Sequence, residues 1–131
     1  MTRSALEASK LSAKYSMEHE KEAWLALYAD DAIIMDPVGI SPLDPTGLGH
    51  RGKDAIATFW DNSIAPNTIV FNIERSYPAG DSCANVVRLD TQIGDAPIIV
   101  EFIAVYRVNP DGLIASMHAY WEFDSILAQL T

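Results

Sequence analysis

Cysteine, positive charge and long apolar runs are all scarce in this sequence. Its one cysteine, Cys83, cannot form an internal disulfide, and its three histidines are too scattered to supply zinc-ligand spacing. We therefore expect no structural metal site. Charged or turn-forming residues interrupt every apolar stretch before it reaches about 18 residues, so we expect no membrane-spanning segment and no membrane partner.

Lys and Arg together number only nine, against 18 Asp and Glu, which gives a net charge of −9. DNA or RNA would be repelled by such a chain, so nucleic acid is excluded as a partner. Glu7 lies where a secretion signal needs apolar residues, and this predicts a cytoplasmic protein. The 131 residues, 49% of them hydrophobic, suit a single domain spanning residues 1–131 with a buried core.

The first half of the chain has the apolar period of helices. Apolar residues recur there at three- and four-residue steps, which predicts helices over residues 4–17, 21–29 and 53–64. Between the last two lie a short apolar run, residues 32–36, and a loop, residues 37–52, that is rich in proline and glycine. Loops of that length inside a small domain are often functional.

The second half changes to strands separated by short turns. The predicted strands cover residues 68–77, 83–93, 98–108 and 113–123. Connections this short require antiparallel neighbours. Helices followed by a meander indicate the α+β class, so we expect a cone-shaped, curved, antiparallel or mixed sheet whose concave face is covered by three N-terminal helices.

Alternate strand residues divide into an apolar set and a charged set. The apolar set includes Val87, Leu89, Met117, Ala119 and Trp121. The charged set includes Arg88, Asp90, Glu101 and His118. Since alternate side chains point to opposite faces of a sheet, the pattern predicts an apolar pocket for a flat, water-poor ligand on one face. The other face is expected to meet solvent or a second subunit.

Asp36 ends the apolar run, immediately before Pro37. A carboxylate at the wall of an apolar pocket loses hydration, which raises its pKa and makes it a better base toward carbon acids. Asp-Pro is also an ordinary opening of a turn. The residues alone therefore leave two interpretations of Asp36, a turn residue and a general base.

Three segments resemble the bacterial Δ5-3-ketosteroid isomerases. They are Tyr-Ala-Asp-Asp-Ala…Asp-Pro-Val-Gly over residues 28–39, Arg-Gly-Lys-Asp-Ala-Ile…Phe-Trp over residues 51–60, and Met-His-Ala-Tyr-Trp over residues 117–121. The resemblance covers nearly the whole chain and implies the helix-covered cone of the nuclear transport factor 2-like, or SnoaL-like, superfamily. Polyketide cyclases and epoxide hydrolases are further members of that superfamily.

The resemblance also implies roles for individual residues. Asp36 matches the general base, which moves a proton between two carbons of a steroid while an oxyanion hole stabilises the enolate. Residues implied to bind substrate are Tyr28, Val38, Trp60, Ile64, Val87, Leu89, Ala104, Met117 and Trp121.

The oxyanion hole of the family is a tyrosine and a protonated aspartic acid, and this sequence departs from both. Ser12 matches the tyrosine and Ala104 matches the aspartic acid. Tyr15 lies one helical turn beyond Ser12, and we predict that it serves as the catalytic donor through a shifted first helix. Loss of one donor typically lowers the rate by about 10²–10³-fold, so the predicted isomerase is slow.

Three functions remain open from the sequence. The first is a ketosteroid isomerase-like enzyme, or its relic, acting without metal or organic cofactor on a steroid or polycyclic ketone. The second is a non-catalytic binding protein for a steroid-like hydrophobic ligand, favoured by Ser12 and Ala104. The third, ranked lowest, is a polyketide cyclase or dehydratase-type reaction on the same fold. By resemblance we also expect a homodimer that pairs through the outer face of the sheet.

Overall fold

The computed structural model describes residues 2–130 and alternates helices with a single sheet. In chain order its elements are α1 (Ala5–Met17), α2 (Lys21–Leu25), β1 (Tyr28–Met35), β2 (His50–Arg51), α3 (Gly52–Phe59), a π-helical turn (Trp60–Ile64), β3 (Val70–Ala79), β4 (Ser82–Ile93), β5 (Ala96–Val108), β6 (Ile114–Tyr120) and α4 (Asp124–Gln129). Within residues 2–130, no helix is long and apolar enough to cross a membrane.

The six strands form a mixed sheet in the order β2-β1-β6-β5-β4-β3. Strands β1 and β6 run parallel, and every other neighbouring pair is antiparallel. Helix α1 packs against β3, β4 and β5, and α3 packs against β1. The predicted α+β class and the helix-covered curved sheet are confirmed. The sheet is open, because β2 and β3 end the strand order without pairing to each other.

Three stretches of secondary structure differ from the sequence-based expectation. One is β2, which lies inside the predicted loop of residues 37–52. The second helix ends at Leu25 and not near residue 29, because Tyr28 pairs with Ile114 and the Leu27 carbonyl accepts the Ile114 N–H at 2.8 Å. The last strand ends at Tyr120, and α4, which the periodicity did not predict, follows it. Ile126 of α4 is buried in a small apolar cluster on β5.

Helix α1 presents short side chains to the sheet. It begins at a capping box, in which the Ser4 hydroxyl accepts the Glu7 N–H at 3.1 Å and Glu7 accepts the Ser4 N–H at 3.2 Å. Its buried residues are Ala5, Ala8, Ser9, Ser12 and Ser16. A helix packed through Ala and Ser cannot fill the space that Leu or Phe would occupy, so an interior hollow remains beside it.

The loop between β1 and β2 folds back on itself around Asp44. The Asp44 side chain is buried, and its Oδ2 accepts the Gly49 N–H at 2.9 Å while its Oδ1 accepts the Thr46 hydroxyl at 3.2 Å. At the start of the loop the Val38 N–H donates to the Ala119 carbonyl at 2.9 Å. The Val38 bond fastens the chain two residues after Asp36, just beyond the end of β1.

Candidate active site

A cavity of about 310 Å³ lies between α1 and the inner face of the sheet. Its volume is that of a small-molecule site. The predicted site residues that line it are Tyr28, Asp36, Ile64, Val87, Leu89, Ala104, Met117 and Trp121. The alternating apolar residues Val87 and Leu89 of β4 and Met117 of β6 therefore face this cavity. The charged set includes Arg88 and Asp90, whose side chains are 43% and 40% exposed and form an ion pair at 3.3 Å.

Three of the predicted site residues lie elsewhere. Val38 is 39% exposed and lines a surface groove beside Trp121. Trp60 is buried behind the cavity wall, with its ring centroid 5.0 Å from that of Trp24. Tyr15 is half-buried beside the core, and the Lys14 ammonium lies 5.9 Å from its ring centroid.

Tyr15 is absent from the lining because shorter residues hold that position. Ser9, Ser12, Ala13 and Ser16 form the stripe of α1 that lines the cavity. Tyr15 lies to one side of this stripe and does not line the cavity. The structure gives no support to Tyr15 as the donor of the site.

Asp36 is the acidic side chain of the cavity wall. Trp121 donates its indole N–H to Asp36 Oδ1 at 2.6 Å. Burial raises the pKa of the Asp36 carboxyl, while the Trp121 hydrogen bond and the nearby His50 imidazole oppose this by stabilising the charged form. The net effect is a stronger base than an exposed aspartate, held in one orientation by a rigid aromatic side chain.

His50 approaches Asp36 from β2. Its register partner on β1 is Ile34, two residues before Asp36, and its ring centroid is 5.0 Å from that of Phe59. Its Nε2 atom is buried and has no hydrogen-bond partner in the part of the chain that the structure describes. In that same part, no group of three or more His, Cys, Asp or Glu side chains is arranged to hold a metal ion.

A hydroxyl cluster occupies the α1 side of the cavity, centred on Ser12. Its Oγ lies 3.4 Å from the Tyr28 hydroxyl, 3.4 Å from the Tyr106 hydroxyl and 3.1 Å from Trp24 Nε1. Burial raises the pKa of Tyr28 well above its ordinary value and that of Tyr106 to about 12. Both phenols are therefore neutral hydrogen-bond donors at physiological pH.

Tyr106 is a site residue that the sequence patterns did not predict. Tyr106 lies two residues after Ala104 on β5, so both side chains point into the cavity. The two-residue spacing between Ala104 and Tyr106 was the feature of the sequence that could have predicted this role. Its partner Ser12 is 94 residues away, a separation at which the sequence alone does not reveal a contact.

A second polar group, Asn85, is the fourth residue of β4. It is 1% exposed, and its Nδ2 donates to Ser9 Oγ of α1 at 2.9 Å. Its Oδ1 accepts the Cys83 thiol at 3.3 Å, and the Ser9 hydroxyl donates to the Leu6 carbonyl at 2.8 Å. Cys83 is therefore a buried member of this hydrogen-bonded group of three side chains as well as a small core residue.

Comparisons of the sequence with known proteins identify its family. Residues 14–117 match the SnoaL-like domain model. The steroid Delta-isomerase of Nocardioides simplex is 33% identical over 96 residues, which cover 73% of this chain and 72% of that protein.

Solved structures extend the likeness to almost the full length. The Mycobacterium tuberculosis protein RV0760c is 39% identical, with a TM-score of 0.89 over 95% of this chain and 96% of that one. A second structure of it, in complex with estradiol-17beta-hemisuccinate, is 38% identical with a TM-score of 0.88 over 92% and 95% of the two chains. The Δ5-3-ketosteroid isomerase of a Mycobacterium species is 34% identical, with a TM-score of 0.87 over 92% and 95%. This chain belongs to the SnoaL-like family, among its ketosteroid isomerase-like members.

Proposed function

We propose that this protein is a ketosteroid isomerase-like enzyme that shifts a proton next to the carbonyl of a steroid or polycyclic ketone. The observation that carries the proposal is the Asp36 carboxylate in an apolar cavity, held by Trp121 and sharing that cavity with the hydroxyl cluster. The likeness to a steroid Delta-isomerase supports the choice of substrate class. No metal or organic cofactor takes part in the proposed reaction.

The proposed reaction begins with Asp36 as general base. The carboxylate takes a proton from the carbon between the carbonyl and the isolated double bond, and the C–H electron pair moves into an enolate. The protonated Asp36 then returns the proton to the far carbon of the dienolate, which moves the double bond into conjugation with the carbonyl. The proton and the base are both restored, so the reaction is balanced without a co-reactant.

Tyr28 is the proposed donor to the enolate oxygen. Ser12 Oγ accepts hydrogen bonds from Trp24 Nε1 and from the Tyr106 hydroxyl, which occupy both of its lone pairs. The Ser12 proton then points to the Tyr28 oxygen, 3.4 Å away, and the phenolic proton of Tyr28 is left to donate into the cavity. Tyr106 and Ser12 act through Tyr28 as positioning residues.

A conjugation assay tests the isomerase directly. A β,γ-unsaturated steroid ketone is mixed with the protein, and the growth of ultraviolet absorbance from the conjugated product is followed. Asp36→Asn, which keeps the size and removes the base, is expected to lower the rate by about 10²-fold or more. Asp90→Asn, an amide substitution on the outer face, is the matched control and should leave the rate unchanged. Equal rates for wild type and Asp36→Asn would refute the proposal.

The second candidate function is non-catalytic binding of a steroid-like ligand. It is favoured by Ser12 and Ala104, which stand where the family has its two oxyanion donors. Micromolar binding of a fluorescent phenolic steroid together with no turnover of any ketone would establish it. The complex of the M. tuberculosis relative with an estradiol derivative shows that the relative can hold such a ligand.

A further inference from the structure

Asn85 lies beside the residue that matches the aspartic acid of the family's oxyanion hole. It is the register partner of Ala104, on the strand next to β5. Register partners direct their side chains to the same face of a sheet, with Cβ atoms about 4.5–5.5 Å apart. Both side chains line the cavity. The Ala104 methyl group leaves open the space that a longer side chain would fill, and the Asn85 amide borders that space.

The Asn85 amide is also adjacent to the hydroxyl cluster. Cys83, two residues before Asn85, is the register partner of Tyr106. On α1, Ser9 binds Asn85 and Ser12 binds Tyr106. Ser9 and Ser12 are one helical turn apart, and side chains at that spacing have Cβ atoms about 5–6 Å apart. The amide and the phenols of the cluster therefore reach the cavity at the same end.

The hydrogen bonds of Asn85 fix the orientation of its amide. The Ser9 hydroxyl donates its proton to the Leu6 carbonyl at 2.8 Å, so its oxygen accepts from Asn85, and the atom 2.9 Å away is Nδ2. On its other side the amide accepts the Cys83 thiol at 3.3 Å through Oδ1. An amide nitrogen carries two protons. The second Nδ2 proton has no hydrogen-bond partner among residues 2–130.

This spare N–H is unfavourable in the empty cavity. Asn85 is 1% exposed, and a buried donor without a partner destabilises the folded state. The next two cavity residues on β4, Val87 and Leu89, are aliphatic and carry no such penalty. An oxygen atom of a bound ligand would accept the spare proton and remove the penalty.

We propose that Asn85 is a catalytic residue of the proposed isomerase, donating its spare Nδ2 proton to the substrate oxygen that also accepts from Tyr28. Donors about 5–6 Å apart can both reach one oxygen, because each hydrogen bond to it is about 2.9 Å long. The second donor of the oxyanion hole thus stands on β4, next to Ala104 of β5. The inference rests on the proposed function for the position of the carbonyl.

The role of the amide is to stabilise charge and not to transfer a proton. When Asp36 takes the proton from carbon, the C–H electron pair moves onto the carbonyl oxygen, and the hydrogen bond from Asn85 strengthens as that charge develops. The amide keeps both of its protons throughout. Unlike a carboxylic acid, it cannot lose its donor by ionising as pH rises.

Binding of a polycyclic phenol tests the inference without turnover. Like the enolate, a phenol presents one oxygen on a planar ring, and it cannot be isomerised. The probe is a tetracyclic phenol, compared with the same ring system lacking the hydroxyl. Wild type is expected to bind the phenol about 100-fold more tightly than the deoxy compound, since two neutral hydrogen bonds contribute about tenfold each.

Substitution assigns one of these hydrogen bonds to the amide. Asn85→Leu is expected to reduce the preference for the phenol to about tenfold while still binding the deoxy compound, which shows that its cavity is intact. Asn72→Leu is the matched control, because the Asn72 amide lies on the outer face and donates to Asp90 at 3.5 Å. It should keep the full preference. An undiminished preference in Asn85→Leu would overturn the inference.

The wild-type protein offers a second measurement that needs no variant to fold. In isotope-labelled protein, the NMR signal of one Nδ2 proton of Asn85 is expected to shift downfield when the phenol binds. The deoxy compound should leave that signal in place, because it has no oxygen to accept the proton. An Asn85 amide that responds alike to both compounds would contradict the proposal.

The conjugation assay separates this inference from the proposed function. In a wild type that turns over, Asn85→Leu should lower kcat by about 10²-fold with little change in KM, as expected for a donor to the developing oxyanion. An unchanged kcat would refute the catalytic role of Asn85. A wild type without turnover would refute the isomerase alone, and the two binding measurements would then decide whether Asn85 donates to the ligand oxygen.

Discussion

Trp121 and Asp36 are joined by a hydrogen bond of 2.6 Å across 85 residues of chain. The indole follows β6 and the carboxylate follows β1, and these two strands are parallel neighbours in the sheet. The contact therefore fixes the proposed base relative to the floor of the cavity. It also opposes the effect of burial, since an N–H donated to a carboxylate stabilises the charged form.

Trp121→Phe is predicted to shift the pH dependence of the isomerase toward higher pH. The substitution keeps an aromatic wall and removes the N–H, so the pKa of Asp36 rises further and the base is deprotonated only at higher pH. The acid limb of kcat/KM should move upward, and the plateau rate should fall by about tenfold because the carboxylate loses its fixed orientation.

Trp60→Phe provides the control for that profile, because Trp60 is buried outside the cavity lining. The acid limb of the kcat/KM profile of Trp60→Phe should match that of wild type. An acid limb that stays in place in Trp121→Phe would show that the indole does not tune Asp36.

The hydroxyl cluster predicts that three Tyr→Phe variants lower kcat by different amounts. Tyr28→Phe should lower kcat by about 10²-fold with little change in KM, because the donor acts mainly on the developing oxyanion. Tyr106→Phe should lower kcat less, by about tenfold, since it acts through Ser12. Tyr15→Phe should have no effect, and steady-state kinetics of the three variants decides the order. A loss confined to Tyr15→Phe would instead restore the donor predicted from the sequence.

Much of the site follows from local patterns in the sequence. The position of Asp36 at the end of an apolar run, and the alternation that turns Met117 and Val87 inward, required only strand parity and turn chemistry. The curved α+β layout followed from short connections and from the change of period between the two halves of the chain.

What the sequence did not predict depends on non-local contacts. The end of α2 is set by pairing of Tyr28 with Ile114, and the role of Tyr106 is set by Ser12 of a distant helix. The orientation of the Asn85 amide likewise depends on a hydrogen bond to Ser9, 76 residues earlier in the chain. Periodicity describes one element at a time, so it cannot show which side chains meet across layers.

Asp36→Asn is predicted to stabilise the fold at neutral pH. Burial raises the pKa of Asp36 in the folded state above its unfolded value, so the folded protein binds the proton more tightly. The free energy of unfolding therefore falls as pH rises from the ordinary carboxyl pKa of 3.8 through the raised pKa. At pH 7 the charged carboxylate destabilises the folded state. Because the Asn side chain carries no charge, the substitution is expected to raise the free energy of unfolding by about 1 kcal/mol, a typical gain for a stabilising substitution.

Urea denaturation at two pH values measures this difference. The gain of Asp36→Asn over wild type should be present at neutral pH and should shrink as pH falls to the ordinary carboxyl pKa. Asp90→Asn should change stability little at either pH, because its exposed ion pair with Arg88 is weak. A stabilisation that is the same at both pH values would contradict the linkage to Asp36.

The outer sheet face leads to a prediction about assembly. Ile103 and Tyr120 are register partners at its centre, 46% and 51% exposed. We propose that a second copy of this chain covers them. Ile103→Lys should place an unpaired charge at the centre of that interface and weaken dimerisation by at least about tenfold. Light scattering over a dilution series measures the effect, with Ile40→Lys on the exposed loop as the control. A monomeric wild type, or a dimer indifferent to Ile103→Lys, would show that the apolar centre of this face has no subunit partner.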